Sequence, residues 1–294
     1  MIRAMSQGPR KFTFADLRAA RAAGAKTPFL TCYDYTTARV MQAAGVSGLL
    51  VGDSAANVIL GHPSTLPVSL SFMIEITAAV RRGAPLALLM ADMPFGSYQG
   101  SVDRGVRAVS RMVKLSGCDC VKMEAGPDQL GLVSVLAGSG VAVIAHLGLR
   151  PQSVGILGGY RFQGRTAAEA MEILKLARQM EQVGAAGLLL EAVPREVAAA
   201  VVAATGIPVI GCGAGDPCHG SVIVTQDALG FTPRPPKFVP ALADLAKPLQ
   251  QAFGDYVRLI ASGEYPAPEH RYEMAPEEKT KFLHLQQADD GSRG

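Results

Sequence analysis

The chain has 294 residues, 49% of them hydrophobic and 18% charged, with 28 Lys and Arg against 25 Asp and Glu. Such a composition buries an ample core and excludes disorder for most of its length. The near-balance of charge speaks against nucleic acid or an anionic membrane surface as a partner.

In chain order, residues 1–12 read as a tail without the apolar stretch of a signal peptide. Thr13 reads as the N-cap of a helix running to Gly24, with Asp16 three residues on in a box-like arrangement. Eight near-continuous apolar runs follow, at 28–34, 48–54, 86–94, 120–124, 141–147, 187–193, 208–215 and 221–230. Parallel strands covered on both faces require that character. Amphipathic runs such as 101–116 and 166–183 lie between them, and Pro127 and Pro194 sit where first helical turns should begin. This alternation predicts a (β/α)8 barrel over 13–272, with an extra N-terminal helix and C-terminal helix over 240–263. The link between the seventh and eighth strands is too short for a full helix. Residues 273–294 read as a charged, loose tail. An open doubly wound sheet shares the alternation, but GCGAG at 211–215 fails the phosphate fingerprint because Asp216 takes its last position. Close strand–loop packing is the better use of those glycines.

Two uncharged segments need a separate reading. Pro63 and Pro67 interrupt residues 54–74, and Gly138, Ser139 and Gly140 split 129–149 into a helix and a strand, so neither predicts a membrane span. Five cysteines in apolar contexts fit free thiols in a reducing compartment, and a soluble, cytoplasmic protein is expected. Cys118 and Cys120 face no second pair at zinc spacing.

Catalytic groups of a barrel come from the C-terminal ends of its strands. Here those ends carry Asp34, Asp53, Asp92, Lys122 with Glu124, His146 and Glu191. An isolated Asp there is ordinarily a helix N-cap, but six strands ending this way exceed what capping explains. A Lys inside the apolar run CVKME needs a carboxylate or a substrate anion as partner. Clustered carboxylates with water and substrate oxygens suit Mg2+ rather than zinc. No G-x-S-x-G elbow and no Walker or kinase motif is present, which leaves enolisation of a carbonyl substrate as the leading chemistry.

The segments LLVGDSAANVILGHPSTLP (49–67), AAVRRGAP (78–85), LLMADMPFGSY (88–98), VKMEAG (121–126), AHLGLRPQSV (145–154), LGGYRFQGR (157–165), LLLEAVP (188–194) and VIGCGAG (209–215) resemble the ketopantoate hydroxymethyltransferase family. The resemblance runs from about Phe14 to His270; the segment after about Tyr272 has no counterpart in it. The chain departs from the pattern at Ala55, Ala56, Pro63, Arg150 and Cys212, none of which removes a chemical group. The resemblance implies transfer of a hydroxymethyl group from 5,10-methylenetetrahydrofolate, the co-substrate, to 3-methyl-2-oxobutanoate. The product is 2-dehydropantoate, in the first step of pantothenate biosynthesis, reached through a Mg2+-stabilised enolate. It further implies that Asp53 and Asp92 bind Mg2+ directly and that Glu124 completes the metal site. Ser54 and Lys122 would hold the substrate carboxylate, and Glu191 would be the general base. Two readings stay open for His146: a hydrogen bond to the keto oxygen, or orientation of a neighbour. His62 and Gln152 are expected to organise their own loops rather than to touch substrate. A homodecamer is the implied assembly. The alternatives are another Mg2+-dependent 2-oxo acid enzyme of the phosphoenolpyruvate mutase and isocitrate lyase type, which commonly carries a KKCGH loop absent here, and an inactive barrel scaffold.

Overall fold

Alternation of side chains along short apolar strands governs how this chain folds. The structure is a computed structural model and describes residues 10–159 and 161–291; residues 1–9 of the expected N-terminal tail, Tyr160 and residues 292–294 lie outside the described residues. The chain divides into two compact units, Met1–Ala243 and Asp244–Gly294.

The first unit holds eight parallel strands: β1 (Thr27–Thr31), β2 (Gly48–Val51), β3 (Leu88–Asp92), β4 (Cys120–Glu124), β5 (Val143–Gly148), β6 (Gly187–Glu191), β7 (Val209–Cys212) and β8 (Gly220–Ile223). They pair in sequence order, and β8 closes on β1 through Thr27–Gly220 to Leu30–Ile223. This is the expected (β/α)8 barrel, with residues 213–219 joining β7 to β8 without a helix. One set of alternate strand residues packs together in the lumen: Phe29, Leu50, Leu88, Met90, Cys120, Ile144, Leu189, Ile210 and Val222. Their neighbours, among them Leu89, Val121, Ala145 and Leu188, join the layer between sheet and helices. Each large apolar side chain buried this way contributes about 1.5–3 kcal/mol.

The helix Phe14–Ala22 begins as expected: Asp16 Oδ2 accepts from Thr13 N–H at 2.8 Å and from its hydroxyl at 2.7 Å. Leu17 packs into the lumen cluster. Phe12 N–H donates to Leu86 O and Arg21 Nη2 to Thr205 O, at 2.8 and 3.0 Å, which ties this helix across the N-terminal ends of the strands. Pro127 opens a 3-10 turn, Pro127–Gln129. Pro194 has an extended ψ of 148° and is therefore the N-cap of helix Arg195–Ala204, one position before the expected N1.

The second unit contains the helices Ala246–Ser262 and Pro276–Gly291. The latter replaces the loose tail expected there. Pro276 at the first position, Glu277 and Glu278 in the first turn, and a Glu278–Lys281 pair at 2.6 Å are local helix-forming features that need no packed face. None of its residues is buried. All five cysteines are free thiols. No helix among the described residues is long and apolar enough to cross a membrane.

Candidate active site

The two-residue period that fills the lumen also decides which polar residues enter it. Continuing past Met90, Cys120, Ile144 and Leu189 by two positions gives Asp92, Lys122, His146 and Glu191, on four neighbouring strands from β3 to β6. They form a continuous row. Lys122 Nζ stands 3.0 Å from Asp92 Oδ1 and 3.2 Å from His146 Nδ1, and His146 Nε2 stands 3.2 Å from Glu191 Oε2. Asp53, in the turn after β2, donates its backbone N–H to Asp92 Oδ2 at 3.0 Å. Ser54 follows it, its hydroxyl 2.8 Å from that of Tyr33.

A cavity of about 910 Å3 opens above this row, lined by Asp53, Ser54, Asp92, Lys122, His146 and Glu191. Leu50, Leu189, Cys212 and Val222 supply apolar surface, and part of the segment 231–239 forms a further wall. Asp92, Lys122 and His146 are buried. Burial by itself would disfavour the Lys122 ammonium, but Asp92 and Asp53 more than offset it and raise its pKa. Burial pushes Asp92 up to about 7 against the pull of Lys122. Burial, aided by the Lys122 charge, holds His146 well below the usual histidine range. His146 is therefore neutral, Nδ1 accepts a hydrogen bond from Lys122 Nζ, and Nε2 carries the ring hydrogen. Its contact with Glu191 is thus not an ion pair, and Nε2 has no aligned hydrogen-bond partner among the described residues. Burial also pushes Glu191 up to about 7, against Lys122.

The backbone around Glu191 is tightly held. Its carbonyl accepts from Leu149 N–H at 2.8 Å, while Ala192 sits at φ 47°, in the left-handed region that costs a non-glycine residue about 1–2 kcal/mol. Gly148, at φ +88°, lies so near that a Cβ there would be 2.4 Å from Glu191 O. Both features fix where the strand ends and the carboxylate emerges.

Glu124 is engaged differently. Burial pushes it up to about 7, its Oε1 accepts from Gln152 N–H at 2.6 Å, and its Oε2 from the Ser153 hydroxyl at 3.1 Å. Among the described residues no three His, Cys, Asp or Glu side chains gather as a metal cluster. Asp53 and Asp92 line the cavity, while Glu124 is bonded to the 151–153 turn beside it. Two carboxylates nevertheless fit Mg2+, which retains several waters. Asp92 Oδ1 is buried and ion-paired with Lys122 at 3.0 Å, but without an aligned hydrogen bond it keeps a lone pair that a metal ion could share.

The remaining expectations divide. Asp34 is only a cap, accepting from Thr37 N–H at 2.8 Å and Thr37 Oγ1 at 2.7 Å. His62 is exposed, and its carbonyl accepts from Asn57 Nδ2 at 2.9 Å within its own loop. Gly213 serves close packing, since a Cβ there would meet the Phe238 ring at 2.5 Å. Gln152 organises its loop but also bonds Asp53, a reach that sequence reading missed. Tyr33 was missed as well, because an uncharged group leaves no mark in an apolar run.

The family described as ketopantoate hydroxymethyltransferase matches residues 11–268. The 3-methyl-2-oxobutanoate hydroxymethyltransferase of Thiobacillus denitrificans is 45% identical over 260 residues, 88% of this chain and 99% of that protein. That of Thermobifida fusca is 42% identical over 263 residues, 90% and 94% of the two chains. Among solved structures, phosphoenolpyruvate phosphomutase from Streptomyces platensis subsp. rosaceus superposes with a TM-score of 0.59 at 15% identity, covering 96% of this chain and 97% of that one. Phosphonopyruvate hydrolase with oxalate and Mg2+ gives 0.58 at 14% identity, with 96% and 97% covered. These two likenesses concern the fold.

Proposed function

This chain belongs to the ketopantoate hydroxymethyltransferase family, and on that premise we propose that it makes 2-dehydropantoate from 3-methyl-2-oxobutanoate and 5,10-methylenetetrahydrofolate, with Glu191 as the base. The observation that carries the reading is the row Asp92–Lys122–His146–Glu191 along one cavity, beside Asp53 and Ser54.

Each group has a task suited to its surroundings. The Lys122 ammonium, kept charged by Asp92 and Asp53, faces the substrate carboxylate, and the Ser54 hydroxyl, positioned by Tyr33, adds a hydrogen bond to it. The neutral His146 donates Nε2–H to the keto oxygen, the more useful of its two readings because that hydrogen lacks an aligned protein acceptor. Mg2+, held by Asp53 and Asp92 with Glu124 reached through water, would supply Lewis-acid stabilisation of the charge that develops on that oxygen. Leu50, Leu189 and Val222 offer the branched alkyl group an apolar wall that excludes water.

Glu191 takes the C3 proton. A carboxylate near pH 7 in proton affinity is a far better base than an ordinary one and is still about half ionised at neutral pH. The C3 electron pair forms a bond to the folate's methylene carbon, whose two C–N bonds break; the oxygen of a water becomes the hydroxyl, and the C3 proton and one water proton end on the two nitrogens of the departing tetrahydrofolate.

The assay is direct: 2-dehydropantoate formation from the two substrates with Mg2+. No product from the folded protein would overturn the reading. Calorimetry with Mg2+ and 3-methyl-2-oxobutanoate separates an enzyme from a scaffold, for which no binding is expected. The proposal includes a homodecamer in the cytoplasm, where free thiols persist. Exposed Leu249, Phe253, Tyr256, Val257 and Ile260 on helix Ala246–Ser262 are spaced as a subunit-contact stripe. A monomer mass by light scattering would exclude that assembly.

A further inference from the structure

Gln152 takes no part in the chemistry above, yet it bonds two of the carboxylates, Asp53 through its side-chain amide and Glu124 through its backbone N–H. It is buried, in the turn Pro151–Ser153 that follows β5. Its Nε2 donates to Asp53 Oδ2 at 2.8 Å and to Met93 O at 2.9 Å. Its Oε1 accepts from the Tyr98 hydroxyl at 3.0 Å and from Gln99 Nε2 at 3.3 Å. The amide can point only one way, because the flipped form would set its oxygen against a carboxylate and a carbonyl. Its backbone N–H meanwhile binds Glu124 Oε1 at 2.6 Å.

The consequence for Asp53 is specific. One carboxylate oxygen is held by Gln152, and Oδ1 has no protein partner among the described residues. A carboxylate locked in one orientation, with one oxygen committed and one free, is pre-organised to ligate a cation. We propose that Gln152 is a positioning residue for the divalent-cation site: its amide sets the Asp53 carboxylate, and its backbone, with Ser153, anchors Glu124. This rests on Asp53 being a metal ligand, as in the proposed function.

The test is metal affinity, measured apart from turnover. Mg2+ is titrated by calorimetry into protein saturated with 3-methyl-2-oxobutanoate, and Mn2+ binding is followed by electron paramagnetic resonance. Gln152→Ala should bind either cation about 10–100-fold more weakly than wild type, the usual effect of losing a group that orients a metal ligand. Its apparent KM for Mg2+ should rise while kcat at saturating Mg2+ largely recovers. A residue that merely holds its loop would lower Tm and leave the cation affinity of the folded protein unchanged, and that result overturns the proposal. Tyr98→Phe removes the hydroxyl that steers Oε1 but keeps the ring, so it decides the matter if Gln152→Ala does not fold. A few-fold loss of cation affinity is expected, and none overturns the proposal. Wild-type protein that binds cations in a Gln152-dependent way but forms no 2-dehydropantoate would overturn the reaction and support the positioning role. Wild-type protein that binds neither cation would overturn both.

Discussion

Lys122 fixes the proton on His146. With the ammonium 3.2 Å from Nδ1 and the ring buried, the imidazole is a neutral acceptor at Nδ1 and presents Nε2–H to the cavity. Nitrogen-15 NMR should therefore show one tautomer, protonated at Nε2, with no titration between about pH 5 and 8. A histidine that charges within that range would remove it as a neutral donor.

The same lysine holds the site together electrostatically. Lys122→Met leaves the buried Asp92 carboxylate unpaired, a loss of about 3–5 kcal/mol for a broken buried pair. Without Lys122 the Asp92 pKa rises further above its unfolded value. Stability is then retained at low pH, where Asp92 is protonated, and lost as pH rises through its folded pKa. Urea unfolding at pH 5 and pH 8 should show the larger deficit at pH 8. Equal deficits would mean that Asp92 is not the group left exposed to the loss.

Glu191 should set the pH profile of proton abstraction. Its folded pKa of about 7 places the active, ionised form above that pH. Exchange of the substrate's C3 hydrogen for solvent deuterium, followed by proton NMR, should rise with pH through about 7 and then level off. Glu191→Gln should slow exchange by about 10²–10⁴-fold and leave metal and substrate binding intact. Undiminished exchange would move the base elsewhere. The stability sign is opposite to that of an ordinary carboxylate. A raised folded pKa favours folding fully below the unfolded value of 4.5, and that contribution fades as pH climbs through about 7.

Asp53→Asn and Asp92→Asn preserve volume but each removes a negative charge from the proposed divalent-cation site. Substrate-dependent Mg2+ affinity should fall by at least about tenfold in each, near 1.4 kcal/mol or more. Far-ultraviolet circular dichroism should remain that of the folded barrel. Wild-type affinity in either variant would exclude that residue as a direct ligand.

Gly148→Ala tests the frame behind Glu191. A methyl group there meets Glu191 O at 2.4 Å and adopts a left-handed backbone, so unfolding should cost about 2–4 kcal/mol less than in wild type. A change below about 0.5 kcal/mol, read by chemical denaturation, would show that the β5–β6 junction yields freely.

Much of this could be read from the chain alone, because the signals are local. Apolar runs at regular intervals determined a parallel barrel, since strands buried on both faces admit few polar residues. The groups that interrupt those runs, Asp53, Asp92, Lys122, Glu124, His146 and Glu191, were legible for the same reason: charge inside an apolar run is costly and stands out. The helix at 276–291 was not recognised, because without a packed face it lacks the periodicity that marks a buried helix.

The sequence by itself determined the barrel, which polar residues stand at its strand ends and the family resemblance. Tertiary structure decided how those groups are used. Asp34 and Asp53 both follow strands, yet one caps its helix and the other turns to Gln152, 99 residues away. Glu124 and Asp92 both end apolar strands, yet one binds the 151–153 turn and the other pairs with Lys122. Hydrogen-bond partners and pKa values depend on what lies within a few ångströms in space. In a closed barrel those neighbours come from distant strands and loops, and no local pattern encodes their distances.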